Sequence, residues 1–311
     1  MLESMFSLPP IVYIDRLTGL RATEQVYGSR GLALLYGGPS WRRYLISLLR
    51  ALVTRLPFYS RYYGWLQRRS SSRRQIAPFV KTYGLDPAEF EKPLSEFSSF
   101  DDFFSRKLKI DARSIVQEES VAIMPADGRY RFIPDLSVSR HFCIKGHNYS
   151  LAHLLGSEAR GAHYAKGAMV IARLCPIDYH RFHFPCSGLA SPSQLIKGCL
   201  SSVNPVALKE RLAIFTENKR MLSTLTSPLF GEVTLLEVGA LAVGTIHETY
   251  PPNAYVAKGD EKGYFSFGGS ALVLLFEEGR IAFDEDLVTA SALGLEIRCL
   301  FGQSLGRALA V

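Results

Sequence analysis

The stretch Phe267-Gly268-Gly269-Ser270-Ala271 joins a glycine bend to an apolar run, residues 271–276, suited to a buried strand. Ser270 opens that strand directly after a residue without a Cβ, and glycine leaves the Gly269 carbonyl open to attack by the Ser270 hydroxyl. Two other stretches gather polar groups of the matching kind. "MPADGRY" (124–130) holds Asp127, and "CPIDYHRFHFPCSG" (175–188) holds His180 and His183. Histidine moves protons near neutral pH. An Asp, a His and a Ser are the parts of an activated serine with its base and the group that orients the base. The hydrolase signature G-x-S-x-G is absent, because Ala271 and Leu272 follow Ser270. Each stretch also has a plain reading: a turn at Asp-Gly, two satisfied histidines, a Gly-Gly-Ser bend. Zinc is a sharper rival, since Cys175, His180, His183 and Cys186 are four side chains of ligand type within twelve residues. Against zinc, the cysteines lack the spacing of a knuckle, and Pro176 and Pro185 restrict the backbone beside both. The reading adopted has no metal.

The elements that must position these residues fall into two kinds. From about residue 120 onward, short apolar runs are separated by Gly, Pro, Asn and Asp. "AMVIARL" (168–174), "VTLLEVGALAVGTI" (233–246) and "GGSALVLLFEEGRIAF" (268–283) predict strands, with a hairpin turn at 277–279. Before that, residues 75–110 predict helix with turns at "GLDP" (84–87) and Pro93, and a Ser or Asp cap in "SSFDDFFSRKLK" (98–109). The fold class expected is α+β: N-terminal amphipathic helices, then a β-rich catalytic core of short, mostly antiparallel strands.

Residues 40–69 place Leu45, Leu48, Leu49, Leu52 and Leu56 on one helical face and Arg43, Ser47, Arg50 and Thr54 on the other. Pro57 ends or kinks that helix, and Phe58, Tyr59, Tyr62, Tyr63 and Trp65 follow among arginines. The whole chain of 311 residues has net charge +7, but residues 1–75 hold twelve Arg and no Lys against three acidic residues, net +9. An apolar face, an Arg-rich face and interfacial aromatics describe a helix lying on an anionic membrane surface. Packing on the protein's own core is the alternative; nucleic acid is not favoured, because no nucleic-acid-binding motif accompanies the charge. The expected division is therefore a basic membrane-associating region, 1–75, and a catalytic domain, 76–311. Five cysteines without regular spacing suggest free thiols in a reducing compartment. No secretory signal and no run of about 18 uncharged apolar residues is seen.

Taken together, these motifs resemble the phosphatidylserine decarboxylases, pyruvoyl-dependent membrane enzymes. The resemblance runs through "DRLTGLRATEQVYG", residues 79–109, "PADGRY", "IKGHNYSLAHLLG" (144–156), residues 173–188, "FTENKR" (215–220), "EVGALAVGTI" (237–246) and "KGDEKGYFSFGGSALVLLF" (258–276). Many bacterial members have Leu-Gly-Ser-Thr where this chain has Gly-Gly-Ser-Ala; the serine and the preceding glycine are kept. The resemblance implies self-cleavage between Gly269 and Ser270 into a large chain (1–269) and a small chain (270–311), with Ser270 becoming the pyruvoyl cofactor. It implies that His183, oriented by Asp127, takes the Ser270 proton, and that His180 protonates the carbanion after a Schiff base with the substrate loses CO2. It also implies phosphatidylserine as substrate and phosphatidylethanolamine as product. The expected location is peripheral, on the cytoplasmic face of a bacterial cell membrane, with a homodimer left open. The alternatives are a pyruvoyl decarboxylase of another amino-acid-type substrate and a non-catalytic membrane-binding protein.

Overall fold

The structure is a computed structural model that describes residues 10–26, 57–138, 151–200, 214–240, 245–268 and 270–309. The amphipathic helix expected at 40–56 and the Gly269 carbonyl lie outside the described residues, as does Cys143.

The N-terminal strands are β1 (Val12–Asp15) and β2 (Arg21–Thr23). Then follow helices α1 (Pro57–Arg68), α2 (Ile76–Tyr83) and α3 (Phe100–Phe104). The core begins with β3 (Val121–Ile123), β4 (Gly128–Ile133), β5 (Ala168–Leu174), β6 (Arg181–His183), β7 (Gly188–Ala190) and β8 (Gln194–Ile196). It continues with β9 (Arg220–Ser227), β10 (Gly231–Gly239), β11 (Ile246–Glu248), β12 (Ala254–Val256) and β13 (Glu261–Phe265). Last come β14 (Ser270–Phe276), β15 (Ile281–Phe283), β16 (Glu296–Cys299) and β17 (Ser304–Ala308).

Among the described residues, eleven strands form one sheet in the order β12-β7-β9-β10-β14-β5-β4-β16-β1-β2, with β8 paired to β9. It is mixed: β1 runs parallel to β16, and the other pairs are antiparallel. Two three-stranded sheets, β11-β13-β6 and β15-β17-β3, pack on one face, giving a core with Phe182, Phe265, Leu272, Leu274 and Leu305. The other face is covered by the short helix Leu151–Leu155 and by Tyr164, against Ala271, Val273 and Leu275. Strand β14 is therefore buried on both faces, which is why its sequence is a continuous apolar run and not an alternating one.

Two local expectations are corrected. Residues 277–279 do turn, with Gly279 at φ 71°, yet β15 pairs with β17 in a separate sheet, so no β14–β15 hairpin forms. The hairpin partner of β10 is β9, across a turn that ends at Gly231. Residues 75–110 are helical only in pieces, because Gly84 terminates α2 in a left-handed conformation and Pro87 and Pro93 permit only single turns after it. Helix α3 starts as expected from its cap: Ser99 accepts the Asp102 N–H. Its Phe100, Phe103 and Phe104 join Phe79, Phe90, Phe97 and Phe267 in an aromatic cluster that is the lid of the site described next.

Candidate active site

Ser270 is fully buried at the first position of β14, in register with Leu174 on β5 and Gly239 on β10. Leu174 ends β5, and the next four residues, Cys175–Asp178, form a turn closed by the Asp178 N–H donating to the Cys175 carbonyl at 2.8 Å. That turn returns the chain across the end of β14 and delivers His180, also fully buried, against Ser270. The preceding bend needs its glycine, since Gly268 has φ 135°, a value that side chains with a Cβ rarely adopt.

His180 Nε2 lies 2.8 Å from the Cys175 carbonyl, and Nδ1 lies 3.2 Å from Ser270 Oγ. A carbonyl only accepts, so Nε2 carries the proton and Nδ1 presents its lone pair to the serine hydroxyl. Burial pushes the imidazole down to about 3, with Arg106 adding to the effect, so the ring is neutral at physiological pH. Phe104 stacks on the ring with centroids 3.8 Å apart, and Phe267 packs edge-on to Phe104 at 4.9 Å. The result is a fully buried, neutral Ser–His pair beneath an aromatic wall.

The 175–178 turn is clamped from both sides. Asp178 Oδ2 accepts the Cys175 N–H at 2.7 Å and Arg129 Nη1 at 2.6 Å. Arg106 Nη2 donates to the Ile177 and Asp178 carbonyls at 3.1 and 3.2 Å, with its guanidinium over the rings of Phe90 and Phe103.

His183 and Asp127 form a second cluster. His183 Nδ1 donates to the Pro125 carbonyl at 3.3 Å, and the ring is stacked 3.8 Å from Phe301. Asp127 Oδ1 accepts the Phe301 N–H at 2.8 Å, and Oδ2 pairs with Arg113 at 2.7 Å. Asp127 and His183 thus share Phe301 as a common neighbour. The linear chain Asp127–His183–Ser270 expected from the resemblance is not formed by any hydrogen bond among the described residues. The physical reason is that Arg113 and the Phe301 amide take the carboxylate, while His180 takes the serine. Burial pushes His183 down to about 4.

On the far side of His183, a cavity of about 10 Å³ is lined by Pro125, His183, Leu272, Glu237 and Lys262, among others. Lys262 Nζ pairs with Glu237 and Glu248, each at 2.9 Å. Two carboxylates share one buried ammonium, and burial raises Glu237 to about 7. Sequence reasoning missed Asp178, Arg106, Arg129, Glu237 and Lys262. Signals existed: Arg129 directly follows the Asp127-Gly128 pair, Glu237 interrupts the otherwise apolar run 235–240, and Asp178 stands two residues before His180. Among the four zinc-type side chains, Cys175 Sγ instead accepts from Arg173 Nη1 at 2.8 Å, and burial pushes the Cys186 thiol up to about 12. No group of metal-ligand type is found among the described residues.

Comparison with known proteins bears on what such a site does. The family profile described as phosphatidylserine decarboxylase matches residues 100–307, which include all four candidate residues. The phosphatidylserine decarboxylase proenzyme of Chlamydia felis is 48% identical over 297 residues, 96% of this chain and 98% of that protein. That of Chlamydia pneumoniae is 46% identical over 295 residues, 95% and 96% of the two chains. That of Chlamydia muridarum is 50% identical over 249 residues, 80% and 83% of the two.

Proposed function

The chain belongs to the phosphatidylserine decarboxylase family, and we propose that it acquires its activity by cutting itself before Ser270 and converting that residue to a pyruvoyl group. The activity is that of a carboxy-lyase, releasing CO2 from phosphatidylserine to leave phosphatidylethanolamine. The single observation that carries the route is Ser270 Oγ, fully buried, 3.2 Å from the lone pair of a neutral histidine.

Ser270 Oγ attacks the Gly269 carbonyl; the C–N bond breaks, the C–O ester forms, and the hydroxyl proton ends on the freed amine. Loss of the Ser270 Cα proton expels the Gly269 carboxylate and leaves a dehydroalanine at 270. Its imine tautomer takes up water and releases ammonia, leaving a ketone. The surroundings fit a ketone: an imidazole nitrogen, an aromatic wall, and no carboxylate bonded to Ser270 among the described residues. The pyruvoyl carbonyl supplies the electron sink for the pair released with CO2. His180 remains beside that carbon, and Nδ1 is placed to hold the proton that replaces CO2.

His183 with Asp127 is proposed to serve the cleavage step, supported by their joint placement around Phe301 and Pro125 at the start of β4. A second reading is favoured by the direct contact: His180 receives the Ser270 proton in cleavage as well. Single-turnover chemistry tolerates so weak a base, although a base with pKa nearer to the working pH would be faster.

The lipid reaches the enzyme at an anionic membrane surface, an assignment supported by α1 and the turn after it. Tyr62 and Trp65 are exposed, Arg69 stacks 3.7 Å over Trp65, and Arg68, Arg73 and Arg74 are exposed beside them. Tyr63 of the same helix contacts Phe267 at 5.7 Å, so an aromatic column leads from α1 through Phe267 and Phe104 to His180. No described helix is long and apolar enough to cross a membrane.

The test is an intact-mass spectrum. Wild type should yield fragments 1–269 and 270–311 that elute together without denaturant, the smaller one blocked to Edman degradation. Ser270→Ala should remain one folded, inactive chain. Full decarboxylase activity in wild type with Ser270 unmodified would refute the proposal.

A further inference from the structure

We propose that Glu24, on the N-terminal hairpin and upstream of the residues the family profile matches, is a positioning residue for His180, acting through Arg129, Asp178 and the Cys175 carbonyl. The proposal rests on the reading that His180 serves Ser270. The relay is continuous, its Glu24–Arg129 link being an ion pair without hydrogen-bond alignment at Arg129 Nε and its later links hydrogen bonds. Glu24 Oε2 lies 3.1 Å from Arg129 Nε and 2.7 Å from Arg173 Nη2. Arg129 Nη1 lies 2.6 Å from Asp178 Oδ2, which also accepts the Cys175 N–H at 2.7 Å. The Cys175 carbonyl accepts both the Asp178 N–H and His180 Nε2, each at 2.8 Å. His180 Nδ1 then faces Ser270.

The register explains why Glu24 is required. Arg129 on β4 and Arg173 on β5 are direct cross-strand partners, and both are buried. Two like charges opposite one another repel. Arg173 also has Glu296 at 2.6 Å, and Arg129 also has Asp178. Among the described residues, Glu24 is the carboxylate that touches both guanidiniums and so holds them side by side. Without its charge, Arg129 moves away from Arg173, and the partner it carries is Asp178, which closes the turn. A shifted Cys175 carbonyl no longer selects the Nε2-protonated form of His180, and the lone pair at Ser270 is lost from part of the population. The hairpin reaches this place because β1 pairs in parallel with β16, β16 pairs with β4, and the Glu24 N–H is held by the Ile11 carbonyl at 2.9 Å.

The experiment uses the full chain labelled with 15N-histidine in the Ser270→Ala background, where cleavage plays no part. The His180 resonances are assigned by their loss in His180→Gln. With Glu24 present, His180 should show one tautomer, protonated at Nε2. Glu24→Gln should show a mixture, and in the processed enzyme should lower the decarboxylation rate per pyruvoyl about tenfold, the scale of a disturbed coupled network. Asp178→Asn, one step nearer, should do more. Arg16→Gln is the control for mere loosening of the hairpin: Arg16 ties it to Asp284 and Asp286, outside the relay. It should lower the melting temperature and leave tautomer and rate unchanged. A single Nε2-protonated tautomer with wild-type rate in Glu24→Gln overturns the relay, as does an Arg16→Gln variant that reproduces the full effect. Wild type that never cleaves overturns the pyruvoyl reading instead, and the tautomer measurement still decides the relay.

Discussion

His180→Ala separates the two roles open to this residue. The substitution removes a fully buried ring stacked 3.8 Å from Phe104 and its bonds to Ser270 and Cys175. The Cys175 carbonyl keeps the Asp178 N–H, so no backbone acceptor is orphaned. The cost is a cavity and a lost polar contact, about 2–4 kcal/mol. That is within the roughly 5–15 kcal/mol a domain has in hand, so the variant should fold. The chemical cost is larger in effect. A positioned acid or base contributes about 10²–10⁴-fold, or about 3–5 kcal/mol of activation free energy. The assay is CO2 release from phosphatidylserine vesicles, normalised to the amount of 270–311 fragment, with cleavage followed by mass. If His180 serves decarboxylation and His183 serves cleavage, His180→Ala cleaves and loses activity by that factor, and His183→Ala stays intact. If His180 serves both, His180→Ala stays intact and His183→Ala cleaves. A His180→Ala enzyme that cleaves and decarboxylates within about threefold of wild type would remove His180 from the chemistry and refute the reasoning from its contact with Ser270.

Two further outcomes are expected. The buried imidazoles of His180 and His183, held down to about 3 and about 4, stabilise the fold fully above their unfolded value near 6.5, and this stability is lost as pH falls. Glu237, held up to about 7, acts in the opposite sense between 4.5 and 7, where the folded state keeps a proton that the unfolded state releases. The unfolded chain therefore gains a net of about one proton below pH 6.5, a slope of about 1.4 kcal/mol per unit and roughly 3 kcal/mol lost by pH 4.5. Urea titrations of Ser270→Ala should show this, with a steeper loss in Glu237→Gln; a flat profile would contradict neutral buried histidines. At the membrane, Tyr62→Ser with Trp65→Ser, or Arg68, Arg69, Arg73 and Arg74 changed to Gln, should weaken binding to anionic vesicles. The arginine set should lose about 1 kcal/mol per residue near the surface and more at low salt, whereas unchanged flotation with vesicles would exclude this face.

The strands that carry the site were legible because burial on both faces leaves a mark in sequence. Residues 168–174 and 270–276 are uninterrupted or nearly uninterrupted apolar runs, and both are strands with those limits. The partner of β15 was not legible, since a turn at Gly279 is compatible with pairing or with departure to another sheet, and only the packing of β17 decides. Ser270 and the histidines could be found from residue type and motif. Which histidine faces the serine could not. His180 and His183 are three apart in a segment that changes from turn to strand at Arg181, and the choice is made by a carbonyl, that of Cys175, which has no sequence signature. Nor could Asp178, Arg129 and Glu24 be linked, because they meet through strand order, β1 beside β16 beside β4, over a separation in sequence that no local pattern spans.

Placement of the serine at the very start of β14 would reconcile the proposed self-cleavage with a surviving fold. The seven residues of β14 pair with β10 on one side and β5 on the other along their whole length. Its apolar side chains are buried on both faces, and burial of each large one is worth roughly 1.5–3 kcal/mol, on the order of 10 kcal/mol for the strand. A cut before Ser270 removes none of these contacts. The 270–311 segment also supplies β16 to the large sheet and both β15 and β17 to a small one, so after a cut it would be held at several independent places. Were the serine two residues later, the scissile carbonyl would sit within the ladder, its oxygen engaged and its approach blocked by neighbouring strands. Were it two residues earlier, in the glycine bend, the new terminus would have no sheet to hold it against His180. The first ladder position meets both requirements of the proposed route: the carbonyl to be attacked would belong to the residue before the strand, and the resulting ketone would belong to the strand itself.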